Sequence, residues 1–205
     1  NHPTGSNQQN FGRSAAWADV NGDGYADLLI GQYAGTTYEG RPFVFYGPIS
    51  GNLTADNADA IITGADSSFG LGISVAQAGD VDGDGYEDVV VGAEYEDALY
   101  VIPGSAAAWT DASITAAAAM QISGWANSKT GRFVAAARDV NQDGYADLLV
   151  GAPSYDTPSS AAGATFIVFS PGESWSDVTV GDGAGWDALQ RISSSACQNC
   201  RLGSC

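Results

Sequence analysis

Three runs of nine residues concentrate the side chains best suited to chemistry. Asp19-Val20-Asn21-Gly22-Asp23-Gly24-Tyr25-Ala26-Asp27 returns as Asp80-Val81-Asp82-Gly83-Asp84-Gly85-Tyr86-Glu87-Asp88. It returns again as Asp139-Val140-Asn141-Gln142-Asp143-Gly144-Tyr145-Ala146-Asp147, the first positions lying 61 and then 59 residues apart. Every copy places side-chain oxygen at positions 1, 3, 5 and 9 and glycine at position 6. A hard cation such as calcium takes six to eight oxygens at roughly 2.3–2.6 Å, and alternate side chains of a tight loop converge on one point. Three Ca²⁺ sites are expected. Their ligands are Asp19, Asn21, Asp23 and Asp27, then Asp80, Asp82, Asp84 and Asp88, then Asp139, Asn141, Asp143 and Asp147. The backbone carbonyls of Tyr25, Tyr86 and Tyr145 join them at position 7. Glycine at position 6 admits the sharp turn that a Cβ resists.

An EF-hand loop begins in the same way but carries a bidentate Glu at position 12 on an emerging helix. Here position 12 is Ile30, Val91 or Val150, inside short apolar runs that end in Gly31, Gly92 and Gly151. Such runs read as buried strands, so the loops feed strands rather than helices. The first unit predicts strands at 11–18, 28–31, 42–47 and 60–64. The second predicts 71–76, 89–93, 99–102 and 120–124, and the third 131–135, 148–153, 165–169 and 189–193. The Ala-rich stretch 106–119 reads as the loop between strands three and four, a helical turn within it being the alternative. A period near 60 residues with four short strands per unit indicates an array of β-propeller blades. The fold class expected is therefore all-β, built from four-stranded antiparallel blades. The units run approximately 11–68, 69–127 and 128–193, after an N-terminal arm at 1–10 and before a partial fourth unit at 194–205. Residues 177–187 contain acids without the metal-loop spacing. Three blades and the start of a fourth do not close an ordinary ring of about four to eight. Either the chain is part of a longer propeller or copies of it assemble into a closed ring, and assembly is the preferred expectation.

The chain resembles the FG-GAP repeats of the integrin alpha-subunit propeller and their bacterial relatives. Phe11-Gly12 supplies the FG element, Leu71-Gly72 a near match and Gly151-Ala152-Pro153 the GAP element, with the acidic loop between the two. Residues 11–193 carry the likeness. Thr130-Gly131 replaces Phe-Gly in the third unit, Glu94 replaces the proline in the second, and the first reads Gly31-Gln32-Tyr33. The resemblance implies an extracellular binding or adhesion module whose metal loops occupy one rim and whose ligand approaches the other. That other rim would present Tyr33, Tyr38, Phe69, Glu94, Tyr95, Trp125 and Tyr155, with Glu96 beside them. Exposed aromatics next to carboxylates suit a sugar ring or a basic side chain. The alternative is that these rings pack between blades.

Composition narrows the partners. The formal net charge is −17 with only 15% of residues charged, and 19 of the 24 acids are Asp, ten of them in the three loops. Three Ca²⁺ would leave about −11, which argues against nucleic acid and anionic membranes as partners. No apolar run reaches the ~18 residues of a membrane span, so no membrane insertion is expected. The chain opens Asn1-His2-Pro3 and reads as a processed segment; a secreted or cell-surface location follows from loops that fill at millimolar calcium. Three cysteines, Cys197, Cys200 and Cys205, suggest one local disulfide and one thiol partnered elsewhere, zinc or redox use being the alternative. With His2 the sole histidine, nucleophilic triads have little support and no catalytic residue is assigned. Asn52-Leu53-Thr54 is a glycosylation sequon where the host glycosylates. An accessory domain of a secreted hydrolase and a structural surface protein remain the rival functions.

Overall fold

Each acidic loop reverses the chain, and its ninth residue opens an apolar strand, so every repeat folds as an antiparallel unit. The computed structural model describes residues 10–33, 40–64, 70–155, 163–170, 172, 176–180 and the backbone of 189–192. The first blade contains β1 (Phe11–Ala18), β2 (Asp27–Gln32), β3 (Arg41–Phe45) and β4 (Ala60–Thr63). In the second, β5 (Leu71–Gly79), β6 (Asp88–Ala93) and β7 (Ala98–Ile102) precede a two-residue strand β8 (Ala112–Ser113), a helical turn α1 (Ile114–Ala117) and β9 (Met120–Ser123). The third has β10 (Phe133–Arg138), β11 (Asp147–Ala152), β12 (Ala164–Val168), the two-residue β13 (Val178–Thr179) and β14 (Leu189–Ile192). The four long strands of each blade pair antiparallel in chain order. The all-β blades predicted by the repeat are present, three of them among the described residues. Stretch 106–119 is more than a loop, since it holds β8 and α1. Positions 1–9 of the N-terminal arm and all of the partial fourth unit lie outside the described residues.

Blade two is the middle of the stack. All residues of β6 and β7 are buried, as expected for strands covered on both faces. One core, with Leu29, Val44, Val89, Val91 and Tyr100, lies between blades one and two. Another, with Val90, Leu99, Val101, Leu148, Val150 and Phe166, lies between blades two and three. On the far face of blade one, Phe43, Phe45 and Ile61 are covered by half-buried neighbours such as Leu28, Ile30 and Leu53. The first strands β1, β5 and β10 lie side by side.

The junctions between blades repeat. The Ser14 hydroxyl donates to the Gly72 carbonyl at 3.0 Å, and Ser74 donates to the Gly131 carbonyl at 2.7 Å. Both carbonyls press on a bare glycine: a Cβ at Gly31 would overlap the oxygen of Gly72, and one at Gly92 the oxygen of Gly131. Thr130, in the place of the expected Phe, is fully buried and satisfies its hydroxyl on Ser128 at 2.7 Å. At the outer edge each blade is covered by the next. β8 pairs parallel with β4, Ile62 facing Ala112 and Thr63 facing Ser113. β13 pairs parallel with β9, Ile122 facing Val178 and Ser123 facing Thr179. An aspartate precedes each short strand and accepts an edge N–H: Ile61 donates to Asp111 and Gln121 to Asp177, both at 2.9 Å. The acids around 177, which lack metal-loop spacing, thus include one that caps a neighbouring blade.

These contacts separate two kinds of glycine. Gly92→Ala forces a methyl into a backbone carbonyl at a blade junction and is expected to cost about 3 kcal/mol. Gly85→Ala meets nothing within 4 Å and suffers only its φ of +91°, a left-handed strain of about 1–2 kcal/mol. Urea unfolding in saturating calcium measures both; equal losses, or a larger loss at Gly85, would remove the close-approach explanation.

Candidate metal centres

The three acidic loops fold alike because their own side chains replace the missing backbone partners. In each, the carboxylate at position 1 accepts the N–H of position 6: Gly24 to Asp19 at 2.9 Å, Gly85 to Asp80 at 3.0 Å, Gly144 to Asp139 at 3.0 Å. Position 3 accepts from position 5, namely Asp23 to Asn21 and Asp84 to Asp82 at 3.0 Å and Asp143 to Asn141 at 3.1 Å. Position 5 accepts from Tyr25, Tyr86 and Tyr145 at 2.8, 2.9 and 3.0 Å. The oxygens are thereby held on the inside of a tight loop, each keeping a second lone pair for a cation.

Position 9 does a different job. Asp27, Asp88 and Asp147 are fully buried. One oxygen of each accepts the N–H of position 2, from Val20, Val81 and Val140 at 3.1, 2.7 and 2.7 Å. The other reaches across to the end of the third strand and accepts from Gly47, Gly104 and Ser170 at 2.9, 2.8 and 2.9 Å. These aspartates are the expected ligands at position 9; their role as a clamp on the third strand is not legible in the sequence, because Gly47, Gly104 and Ser170 follow them at unequal spacings.

Loop two is the most acidic. One carboxylate oxygen from each of Asp80, Asp82 and Asp88 lies within 4.8 Å of the others. In loops one and three the residue at position 3 is Asn, whose amide donates to the position-5 carboxylate, at 3.2 Å from Asn21 to Asp23 and 2.7 Å from Asn141 to Asp143. Loop two has Asp82 there and no such relief. Burial pushes the Asp88 carboxyl up to about 7, against the pull of its two backbone N–H bonds and with the negative charges of Asp82 and Asp84 adding to it. Burial likewise raises Asp27 and Asp84. An oxygen-only set with crowded carboxylates fits a hard divalent cation.

The loops also touch one another. The Tyr86 ring lies over Gly22, where a Cβ would come within 2.7 Å of it, and the Tyr145 ring lies over Gly83 at 2.6 Å. The Glu87 carboxylate accepts the N–H of Asp19 at 2.7 Å, and the Asp80 carbonyl accepts that of Ala146 at 3.0 Å. All three loops therefore share one rim.

At the other end the strand 2–3 connections of the blades meet. The Tyr33 hydroxyl lies 3.1 Å from Glu94 and 3.0 Å from the Tyr95 hydroxyl, with the two rings stacked at 6.3 Å. Burial pushes the Tyr33 hydroxyl above its ordinary range, aided by Tyr95 and Glu94. Glu94 is 3% exposed and holds Arg132 at 3.0 Å, so this carboxylate is already neutralised rather than offered to solvent. Lys129 sits over the Tyr95 ring, 4.0 Å from its centroid. Tyr95 and Trp125 are exposed by 39% and 41%. Tyr155, expected on the same face, is buried between Trp125 and Phe166, at 5.3 and 5.4 Å, and belongs to the core. Tyr38 and Phe69 lie outside the described residues, as do Cys197, Cys200 and Cys205. Arg132 and Lys129 were missed; both come from blade three and only the fold brings them to Glu94 and Tyr95.

Comparison with known proteins gives consistent matches. The FG-GAP repeat model matches residues 11–45 and 130–186, and an FG-GAP-like repeat model matches 80–150. Integrin alpha-4 of Xenopus laevis is 31% identical over 153 residues, covering 69% of this chain and 14% of that protein. Integrin alpha-5 of Xenopus laevis is 29% identical over 162 residues, covering 72% and 15%. Integrin alpha-IIb of Homo sapiens is 37% identical over 93 residues, covering 42% and 9%. The chain thus spans about a seventh of the length of the first two relatives.

The raised carboxyls set a sign for the pH dependence without cation. Asp88 titrates near 7 in the fold against an ordinary value of 3.8, so the folded state holds a proton that the unfolded chain releases. In chelator, stability is expected to fall as pH rises from about 4 to about 7 and then to level. A saturating divalent cation neutralises the site and should remove that decline. Melting temperature against pH, with chelator and with calcium, measures it; a chelator curve that rises across the window would refute the assignment.

Proposed function

The chain belongs to the FG-GAP repeat family, the repeat it shares with integrin alpha subunits, and from that premise we propose that it is a calcium-binding, extracellular β-propeller module that binds a protein or glycan ligand. The observation that carries this is the oxygen cage built three times on one rim by the same five backbone-to-side-chain hydrogen bonds. Ca²⁺ is the cation proposed, one ion per loop. It would screen the carboxylates and hold the turn between the first and second strands of each blade, stabilising the fold by roughly 2–4 kcal/mol per filled site. The ions serve the structure, which leaves the opposite rim free for recognition.

On that rim the ligand is assigned to the exposed rings of Tyr95 and Trp125, with Tyr33 and Lys129 behind Tyr95. The apolar C–H face of a sugar ring suits these side chains better than a basic group does, because Glu94 is buried and already paired with Arg132. Secretion or display at the cell surface follows from the calcium requirement. Copies of the chain are proposed to complete the ring as a dimer, and the three cysteines to form one local disulfide with a third thiol partnered elsewhere. The module is read as non-catalytic. An accessory role in a larger secreted hydrolase is the rival; activity in a longer gene product without loss when this segment's aromatic rim is altered would favour it.

Two measurements test these assignments. Loop two has four carboxylates where loops one and three have three, so it should be the last to release calcium on chelation. Asp82→Asn should weaken that tightest site about tenfold in calorimetric titration and leave the fold in saturating calcium intact; an unchanged isotherm would show that loop two is not the tight site. For the rim, a glycan array and a screen of extracellular proteins come first. Tyr95→Ala should lower any specific binding at least tenfold, whereas undiminished binding would move the ligand elsewhere.

A further inference from the structure

We infer that Asn52-Leu53-Thr54 is a third inter-blade latch, and that its receptor is the outer edge of β14 in a second copy of the chain. The inference rests on the dimeric ring proposed above and names the surfaces that would form it.

The two internal junctions define what a latch is. Asp111-Ala112-Ser113 and Asp177-Val178-Thr179 each place an acidic oxygen on an edge N–H of the preceding blade, then pair two residues in parallel with its outer strand. Blade one carries the same pattern, Asn52-Leu53-Thr54, in the same connection between its third and fourth strands. An Asn side-chain oxygen accepts an N–H as Asp does. The likeness extends past the three residues themselves: Ser113 and Thr54 are both extended, at ψ 152° and 159°, and each caps a short helical turn. Asn52 and Thr54 are exposed.

Other parts of blade one that contact a preceding blade in the internal junctions are exposed too. Tyr25 is 54% exposed, whereas its counterparts Tyr86 and Tyr145 are half-buried over glycines of the neighbouring loop. Gly12 has nothing within 4 Å, whereas Gly72 and Gly131 press on blades one and two. The matching surface is at the other end. Among the described residues β14 pairs only with β12, and none of them covers its outer edge. By register Arg191 faces Phe166 as Gln121 faces Tyr100, which makes the Arg191 N–H the equivalent of the donor that Asp177 captures. Two copies joined twice in this head-to-tail manner would give a ring of about six blades, within the usual range. The new junction is looser than the internal ones. Tyr25 would meet Gln142 where its counterparts meet glycine, and Phe133, opposite Gly151, stands where Ser14 and Ser74 supply a hydroxyl.

Light scattering of the chain in millimolar calcium, over a hundredfold range of concentration, tests this with two variants. Asn52→Lys removes the acceptor at an exposed position of blade one. Arg191→Pro removes the outward N–H at an edge position where proline is tolerated. The wild type should reach twice the chain mass, Asn52→Asp should match it, and each of the two disruptive variants should remain monomeric with an unchanged circular dichroism spectrum. Mixing Asn52→Lys with Arg191→Pro should restore part of the dimer, since one of the two junctions is then intact. A monomeric wild type would overturn both the dimer and the latch. A dimer that persists in both variants would overturn the latch alone, as would mixing without recovery.

Discussion

Everything in each blade hangs on a buried aspartate that closes the acidic loop. Asp27, Asp88 and Asp147 each hold the start of their own loop with one oxygen and the end of the third strand with the other. A hydrogen bond to a charged group contributes about 1.5–3 kcal/mol, and its loss in a buried place leaves two donors unmet. The same carboxylate is expensive to bury ionised, which is why Asp88 rises so far above its ordinary value. A cation at the loop would resolve the conflict, because it would let the clamp keep both its charge and its hydrogen bonds.

The second constraint is backbone approach between blades. Gly31 and Gly92 let the following blade's backbone come into contact, and the hydroxyls of Ser14 and Ser74 fix the carbonyl that arrives there. Tyr86 and Tyr145 tie the acidic loops along the rim, while the short strands β8 and β13 close the outer edges. Covering an edge strand with a neighbour's residues removes an open row of donors and acceptors that would otherwise recruit other chains. Among the described residues blades therefore hand over in one direction, blade one's edge covered by blade two and blade two's by blade three.

The rim opposite the acidic loops follows another logic. There the buried Glu94 holds the partly exposed Arg132 and the Tyr33 hydroxyl, so its charge orders three blades at one point rather than waiting for a ligand. Ring surface is left in solvent, on Tyr95 and Trp125, stiffened from behind by Lys129 and Tyr155. Rigid aromatic surface on an ordered support is suited to recognition, since little side-chain freedom remains to be lost on binding.

The sequence by itself determined the repeat, the strand class and the acidic loops. A nine-residue spacing of oxygens and glycine acts through local backbone geometry, which needs no distant partner, and apolar runs bounded by glycine set strand type in the same local way. Only the tertiary structure decided the rest. That Tyr155 is core while Tyr95 is surface depends on which blade lies over each ring. That Glu94 is paired depends on Arg132, 38 residues away. Two-residue strands such as β8 and β13 have no periodicity to read; they exist because a neighbouring edge offers unpaired N–H and C=O groups at the right distance. Contacts between repeats are set by packing across the stack, and a linear pattern holds no record of which blade comes to rest against which.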